Sequence, residues 1–268
     1  MMTRISARNL IREGWQQGLG ALVPNLRWLA LFAAAGGAYS ASLHMPGMAA
    51  PLVMVVITFL AGVQVSRGIY THLIGPRPGG FLQLAHANLA VYLAFLFIGV
   101  FIAFFLLILP GILIEAQGKH DLGAEAAPEL VQAAFLDMLA TPYGAVYLLV
   151  CAGGFAVLAY FALRLTLYGA ATFDRRKAQV FETFPWTRGH WRKLGAASLA
   201  THLAPFAAGL GANYLLQLVL PETAAGHVLE GAAGILLFTP FLLAGHGMAA
   251  AAYRRLKPEA AGEPSVPG

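Results

Sequence analysis

Long uncharged stretches, separated by short charged segments, dominate the pattern of this chain. Backbone N–H and C=O groups in hydrocarbon must be hydrogen-bonded within their own segment, so an uncharged run of about 20 residues predicts a membrane-spanning helix. The stretch between Arg27 and Arg67 contains no Lys, Arg, Asp or Glu. Near the middle of this stretch, His44-Met45-Pro46-Gly47 predicts a tight hairpin between two helices. The later uncharged runs are Ala87 to Ile114, Met138 to Leu163, Leu194 to Pro221 and Gly231 to Tyr253. The sequence therefore predicts an all-α integral membrane protein with six transmembrane helices.

The distribution of Lys and Arg predicts the direction of these helices. Short loops that carry Lys and Arg stay in the cytoplasm. With the N-terminus inside, 16 of the 17 basic residues fall on cytoplasmic segments, and only Lys119 falls outside, in an acidic, Ala-rich segment over 115–137. We therefore expect both termini to lie in the cytoplasm of a cell with a bacterial inner membrane. The alternative is that Arg4 to Leu43 is a cleaved secretory signal, although its basic region is unusually long.

Composition excludes a sizeable water-facing domain. Hydrophobic residues make up 59% of the chain and charged residues 11%, against about 25% charged in ordinary soluble domains. We expect one membrane domain over 1–268, with an N-terminal interfacial helix over 1–25, a six-helix bundle over 26–253 and a disordered tail over 254–268. Nucleic-acid binding is not expected, because the net charge of +5 is explained by topology. Cys151 stands alone, so no disulfide, metal site or cofactor is expected.

The first 23 residues form a basic amphipathic pattern. Arg4, Arg8 and Arg12 recur every four residues on one helical face. An apolar stripe accompanies them: Ile11, Trp15, Leu19, Leu22 and Val23. Two interpretations stay open, namely a helix lying in the cytoplasmic headgroup layer and a packed cytoplasmic helix with a solvated basic face.

A second basic segment runs from Arg164 to Lys193, with aromatic residues among its cations. One use for it is to hold anionic lipid headgroups, and the alternative is that its charges only fix topology. The Trp-x-x-Gly spacing at 15–18 and 186–189, and a weaker counterpart at 78–81, suggests three units, each an interfacial segment followed by a helical hairpin. The predicted headgroup-binding residues are Arg4, Arg8, Arg12, Arg175, Arg176, Lys177, Arg188, Arg192 and Lys193.

Four polar residues within the predicted fifth and sixth spans are further candidates. His202 and His246 are predicted to lie about 12 to 14 Å below the cytoplasmic boundary, a depth at which the two side chains could meet. Ionisable groups in spans are costly and often functional, as in metal binding or proton relay, but neutral His also simply hydrogen-bonds a neighbouring helix. Asn213 and Gln217 either line a polar path or bond between helices.

Three short motifs carry a family resemblance. They are Leu109-Pro110-Gly111, Arg164-Leu165-Thr166-Leu167 and the stretch from Trp186 to Trp191. On these residues the chain resembles the bacterial inner-membrane proteins of the YciC type, which are related to the membrane domain joined to some glycerophosphodiester phosphodiesterases. The acidic outer segment over 115–137 departs from that family. The resemblance implies no catalytic residues, because the phosphodiesterase chemistry of the fusion proteins resides in a separate soluble domain.

Enzyme motifs are missing from the sequence, which contains no Gly-rich phosphate loop, no His-Glu-x-x-His and no Gly-x-Ser-x-Gly. We therefore expect a non-enzymatic polytopic membrane protein that organises or scaffolds at the membrane through basic segments. Its expected partners are anionic membrane lipids, together with further copies of itself or a membrane complex. The alternative is a small transporter that uses the fifth and sixth spans.

Overall fold

A computed structural model of the protein describes residues 5–76, 80–118 and 126–258. These ranges contain helices and no β-strand, so the predicted all-α class is confirmed for the described chain. The α-helices are α1 Ala7–Gly20, α2 Leu22–Ser42, α3 Ala49–Ile74, α4 Phe81–Ala116, α5 Pro128–Leu139, α6 Pro142–Leu165, α7 Tyr168–Arg175, α8 Phe184–Thr187, α9 Trp191–Ser198, α10 Ala204–Gln217, α11 Ala224–Leu237 and α12 Thr239–Leu256. A 3₁₀ turn covers Phe181–Thr183, and a π-helical segment covers Leu199–Leu203.

Four helical stretches are long and apolar enough to cross a membrane: Ala49–Ile74, Phe81–Ala116, Pro142–Arg175 and Ala224–Leu256. The pair α1 and α2, bent by 71° at their junction, is a fifth if the two count as one span. The predicted run from Leu194 to Pro221 is divided by the π-helical segment into α9 and α10, of 8 and 14 residues. The described chain therefore has four to five helices suited to a membrane, while six spans and the direction of the termini stay predictions.

The predicted break between the first two spans is confirmed. Helix α2 ends at Ser42 and α3 begins at Ala49, and the turn between them contains Gly47 with φ of +85°. Glycine tolerates this conformation because it has no Cβ. The Ser42 hydroxyl donates to the Tyr39 carbonyl oxygen at 2.6 Å, which satisfies a backbone acceptor at the end of α2.

The chain separates into two compact units. The second unit, over 90–162, contains α5 and most of α4 and α6. Its small core consists of Leu113, Ile114, Ala134 and Met138. Most of its other large apolar side chains are exposed, with Leu107 exposed by 81% and Leu149 by 74%. This surface is of the kind that lipid covers in a membrane protein.

The first unit, over 1–89 and 163–268, contains the larger core. Helix α2 packs between α3 and α11, and Gly36 and Gly37 let it approach Gly231 and Val228 of α11 closely. A second cluster lies toward the C-terminal end of α12, where residues of α1, α3, α4, α7, α9 and α12 bury one another. The largest members of this cluster are Leu10, Tyr70, Leu84, Leu167, Phe173, Leu194, Met248 and Tyr253.

Helix α1 is held on α12 by a glycine contact that the apolar pattern did not predict. Its buried residues are Leu10, Gly14 and Gly18, and Gly18 lies directly against the backbone of Leu243 in α12. The predicted stripe is therefore only partly the packed face, since Ile11 and Leu22 border buried clusters. Of that stripe Ile11, Trp15 and Leu22 are half-buried, and Leu19 and Val23 are exposed.

The end of α12 lies further along the chain than predicted. The helix continues to Leu256, so Arg254 and Arg255 are helical and do not belong to a disordered tail. Residues 259–268 of the predicted tail, and residues 119–125 of the acidic segment over 115–137, lie outside the described residues.

Candidate functional site

Exposed cations surround the core of the first unit where α12 ends. We call this set the basic surface: Arg8, Arg12, Arg175, Arg176, Lys177, Arg188, Arg192 and Lys193, all exposed. Leu10, Phe173 and Leu194, each within two residues of one of these cations, are fully buried in the shared core. The core therefore fixes the short elements that carry the cations. Arg4, predicted to belong to the same set, lies outside the described residues.

Threonine hydroxyls stabilise the backbone of the segment between α7 and α9. Thr172 is buried, and its Oγ1 accepts a hydrogen bond from the backbone N–H of Gln179 at 3.0 Å. Thr183 and Thr187 are also buried, and they donate to the carbonyl oxygens of Val180 at 3.0 Å and Phe184 at 3.1 Å. Short polar side chains of this kind replace the backbone hydrogen bonds that a loop lacks. The sequence predicted an interfacial segment at 186–189, but it did not predict these threonine hydrogen bonds.

Arg176 has an unusual backbone conformation. It follows the last residue of α7 with φ of +55° and ψ of +27°, in the left-handed region. Glycine is the usual residue after a helix in this conformation, and other residues cost roughly 1–2 kcal/mol there. A cation thus occupies a position that backbone geometry alone would give to glycine.

Aromatic rings accompany the cations. The guanidinium carbon of Arg175 lies 4.6 Å from the ring centre of Trp186, and that ring lies 6.1 Å from the ring of Tyr253. Arg192 lies 5.3 Å from the ring centre of Trp191, which is 50% exposed. Cation–π contacts of this kind hold a guanidinium in place while leaving its edge N–H groups able to bind.

Two acidic residues near the basic surface, Glu13 and Asp174, pair with cations outside it. Glu13 accepts a hydrogen bond from Arg255, and this bond lowers the pKa of the Glu13 carboxyl despite its partial burial. The Tyr253 hydroxyl donates to Asp174 at 2.8 Å, and Lys257 lies 3.7 Å from the same carboxylate oxygen. Within the described ranges these ion pairs, together with His227–Glu230, use none of the eight cations of the basic surface.

The structure brings the segment of His202 against the part of α12 that contains His246. His202 belongs to the π-helical segment and packs against Gly245, the residue before His246. Its Nδ1 is 3.1 Å from the Thr201 hydroxyl. Both nitrogens of His246 are engaged, Nδ1 with the Leu242 carbonyl oxygen at 2.7 Å and Nε2 with the Ser66 hydroxyl at 3.0 Å. His246 therefore links α12 to α3.

The other two polar candidates face a neighbouring helix. The Gln217 side-chain amide donates to Glu230 Oε1 at 2.7 Å, which joins α10 to α11. Asn213 Oδ1 lies beside Gly234 of α11. The Gln217 contact is an interhelical hydrogen bond, one of the two predicted roles. Among the residues that the structure describes, no three His, Cys, Asp or Glu side chains assemble as a metal ion would require.

Sequence reasoning missed three features of this region. These are the close approach of Gly14 and Gly18 to α12, the Glu13–Arg255 pair, and an open cavity beside Arg254. The Gly14-x-x-x-Gly18 spacing was visible in the sequence and is a known helix-contact motif. Its partner on α12 could not be identified without the fold.

Comparison with known proteins gives no family assignment. No protein-family model, curated protein or solved structure matches the chain. Function therefore has to be argued from the site.

Proposed function

We propose that this protein is a non-enzymatic membrane protein of a bacterial inner membrane that organises or scaffolds at the cytoplasmic leaflet by binding anionic lipids through its basic surface. In this proposal the chain spans the membrane six times with both termini in the cytoplasm. The resemblance to YciC-type proteins belongs to the same proposal.

The observation that carries the proposal is the exposure of eight cations around a fully buried core. A cation near an anionic membrane surface contributes about 1 kcal/mol to lipid attraction. Cations that only fix topology do not need defined side-chain positions. Arg175 and Arg192, by contrast, are held against tryptophan rings. Trp and Tyr are enriched at the level of lipid headgroups, which is where these rings would lie in the proposed topology.

Lipid retention tests the proposal directly. The purified protein is equilibrated in detergent with equal amounts of phosphatidylglycerol and phosphatidylcholine, and native mass spectrometry counts the lipids bound. The variant replaces six cations by glutamine, and the control replaces the arginines among them by lysine, which keeps the charge. We expect the control to retain its preference for phosphatidylglycerol. In the glutamine variant the affinity for phosphatidylglycerol should fall about fivefold for each replaced cation that contacts lipid. Equal preference in wild type and glutamine variant would reject the proposal. The six residues are Arg175, Arg176, Lys177, Arg188, Arg192 and Lys193.

Arg176→Gly separates binding from folding. Glycine suits the left-handed backbone at this position, so the variant is expected to be at least as stable as the wild type. If the cation serves lipid binding, anionic lipid retention falls while thermal stability does not. A parallel fall in both would assign Arg176 a structural role.

A second candidate function, a small transporter that uses the fifth and sixth predicted spans, is favoured by the π-helical segment that contains His202. Such segments are frequent at functional sites. In proteoliposomes loaded with a pH-sensitive dye, a His-dependent proton pathway would give a flux that His202→Asn abolishes. Absence of any flux in the wild-type protein would exclude that pathway.

A further inference from the structure

An open cavity of about 450 Å³ lies beside the end of α12, and none of the eight cations of the basic surface lines it. It is lined by Gln16, Gln17 and Gly20 of α1, His72 and Leu73 of α3, and Arg254 of α12. Its volume is in the range of small-molecule sites, about 300–1,000 Å³. Three elements of the first unit thus converge on one concave surface.

Arg254 is held in place at this cavity. One terminal nitrogen donates to the Leu73 carbonyl oxygen at 3.1 Å, and the other donates to Gln17 Oε1. These bonds use two of the five N–H donors of the guanidinium. Gln16 and His72 add polar side chains to the wall, and no lining residue is acidic. The charge of Glu13 also acts on Arg254, but that carboxylate is hydrogen-bonded by Arg255.

This arrangement suits an anion with several acceptor oxygens. A guanidinium fixed by the protein binds phosphate oxygens with strong, charge-assisted hydrogen bonds. The side-chain amide of Gln16 and the ring of His72 add N–H donors beside this guanidinium. A phosphate group therefore fits the chemistry of the cavity.

Apolar side chains next to the cavity identify the source of that phosphate. Gln16, Leu19 and Gly20 share one face of α1, since residues three and four apart are neighbours on a helix. Leu19 is 51% exposed, and Val23, just beyond the bend into α2, is 73% exposed. A water-soluble phosphate would have no use for these side chains, whereas an acyl chain would cover them.

We propose that this cavity binds the phosphate headgroup of one anionic phospholipid, with Arg254 as its principal cation and the acyl chains lying along Leu19 and Val23. The proposal rests on the proposed function, because it gives that function a stoichiometric site in addition to a diffuse basic surface.

Two variants test the proposal, one that fills the cavity without changing its charges and one that removes its cation. An added Cβ at Gly20 would lie 3.6 Å from His72 Nε2, an ordinary contact, so Gly20→Ala is a matched control. Gly20→Leu extends a larger side chain into the cavity, and Arg254→Gln removes the cation. The full-length protein in detergent is titrated with phosphatidylglycerol and, separately, with glycerol 3-phosphate. Native mass spectrometry measures the dissociation constant of the most tightly bound molecule in each titration.

The wild type and Gly20→Ala are expected to bind one phosphatidylglycerol about tenfold or more tightly than Gly20→Leu and Arg254→Gln do. The six-cation glutamine variant described above should keep this one lipid, so the two proposals fail independently. Unchanged tight binding in Gly20→Leu, in protein with wild-type thermal stability, would overturn the proposal. Glycerol 3-phosphate binding as tightly as the lipid would also overturn it, because the site would then take a free phosphate.

Discussion

Replacing Gly18 by alanine tests whether backbone contact holds α1 on α12. A Cβ at this position would lie 2.6 Å from the carbonyl carbon of Leu243 and 3.0 Å from the amide nitrogen of Ala244. Favourable contacts between carbon atoms begin near about 3.5 Å. The clash is with backbone, which cannot rotate away as a side chain can, so α1 has to move by about 1 Å.

The expected cost follows from two opposing effects. Overpacking a close contact costs about 1–3 kcal/mol, and here the displacement also loosens Leu10, which is fully buried. Alanine within a helix is favoured over glycine by about 1 kcal/mol, which offsets part of this cost. Gly20→Ala receives a similar benefit without a clash, so the two alanine variants should change stability in opposite directions.

Thermal unfolding in detergent, followed by tryptophan fluorescence, measures the comparison. Amide hydrogen exchange over residues 7–20 then shows whether α1 itself is loosened. We expect Gly18→Ala to melt below the wild type with faster exchange in α1, and Gly20→Ala to melt at or above it. The reasoning is refuted if Gly18→Ala matches Gly20→Ala in both measurements.

Three further predictions concern topology, charge and packing. A reporter fused after Lys119 should be external and one fused after Lys177 cytoplasmic, and the opposite pair of signals would invert the proposed direction. Glu13→Gln should lower the free energy of unfolding at pH 7 by about 1 kcal/mol, which is measured as a lower thermal midpoint. Because Arg255 holds the pKa of Glu13 below its ordinary value, this stabilisation is full above about pH 4.3 and is lost as the pH falls through the lower folded-state pKa, so wild type and variant should converge in acid. Gly231→Ala places a methyl group 2.8 Å from a carbonyl carbon of α2 and should destabilise the fold by about 1–3 kcal/mol, whereas an unchanged midpoint would show that α11 moves freely.

The helices suited to a membrane, and the turn at residues 43–48, were predictable because the bilayer imposes a simple rule on the sequence. A run without charge has to be helical, and a break with Pro and Gly has to be a turn. The same rule does not indicate which face of a helix packs against other helices. Leu107 and Leu243 are equally apolar, yet the first is 81% exposed and the second 1%. In lipid, hydropathy does not separate a protein-facing side chain from a lipid-facing one.

The candidate site was predictable in its charges but not in its geometry. The cations of the basic surface stand out because they interrupt an apolar chain, and charge patterns need no fold to be read. Arg254 was assigned to a tail, although the helix that contains it continues to Leu256 and directs it toward Leu73. Contacts between residues so distant in sequence depend on how α12 lies beside α1 and α3, which local patterns do not specify.

The glycine contact between α1 and α12 links these features physically. One face of α1 carries Gly14 and Gly18, which determine how closely the helix approaches α12. Other faces carry the cations Arg8 and Arg12 and the cavity residue Gly20. Because α1 is one rigid helix of 14 residues, its contact with α12 positions both the cations and the cavity wall relative to Arg254. Small residues in this chain therefore serve to arrange polar groups at one end of the helices, and their role is not limited to compact packing.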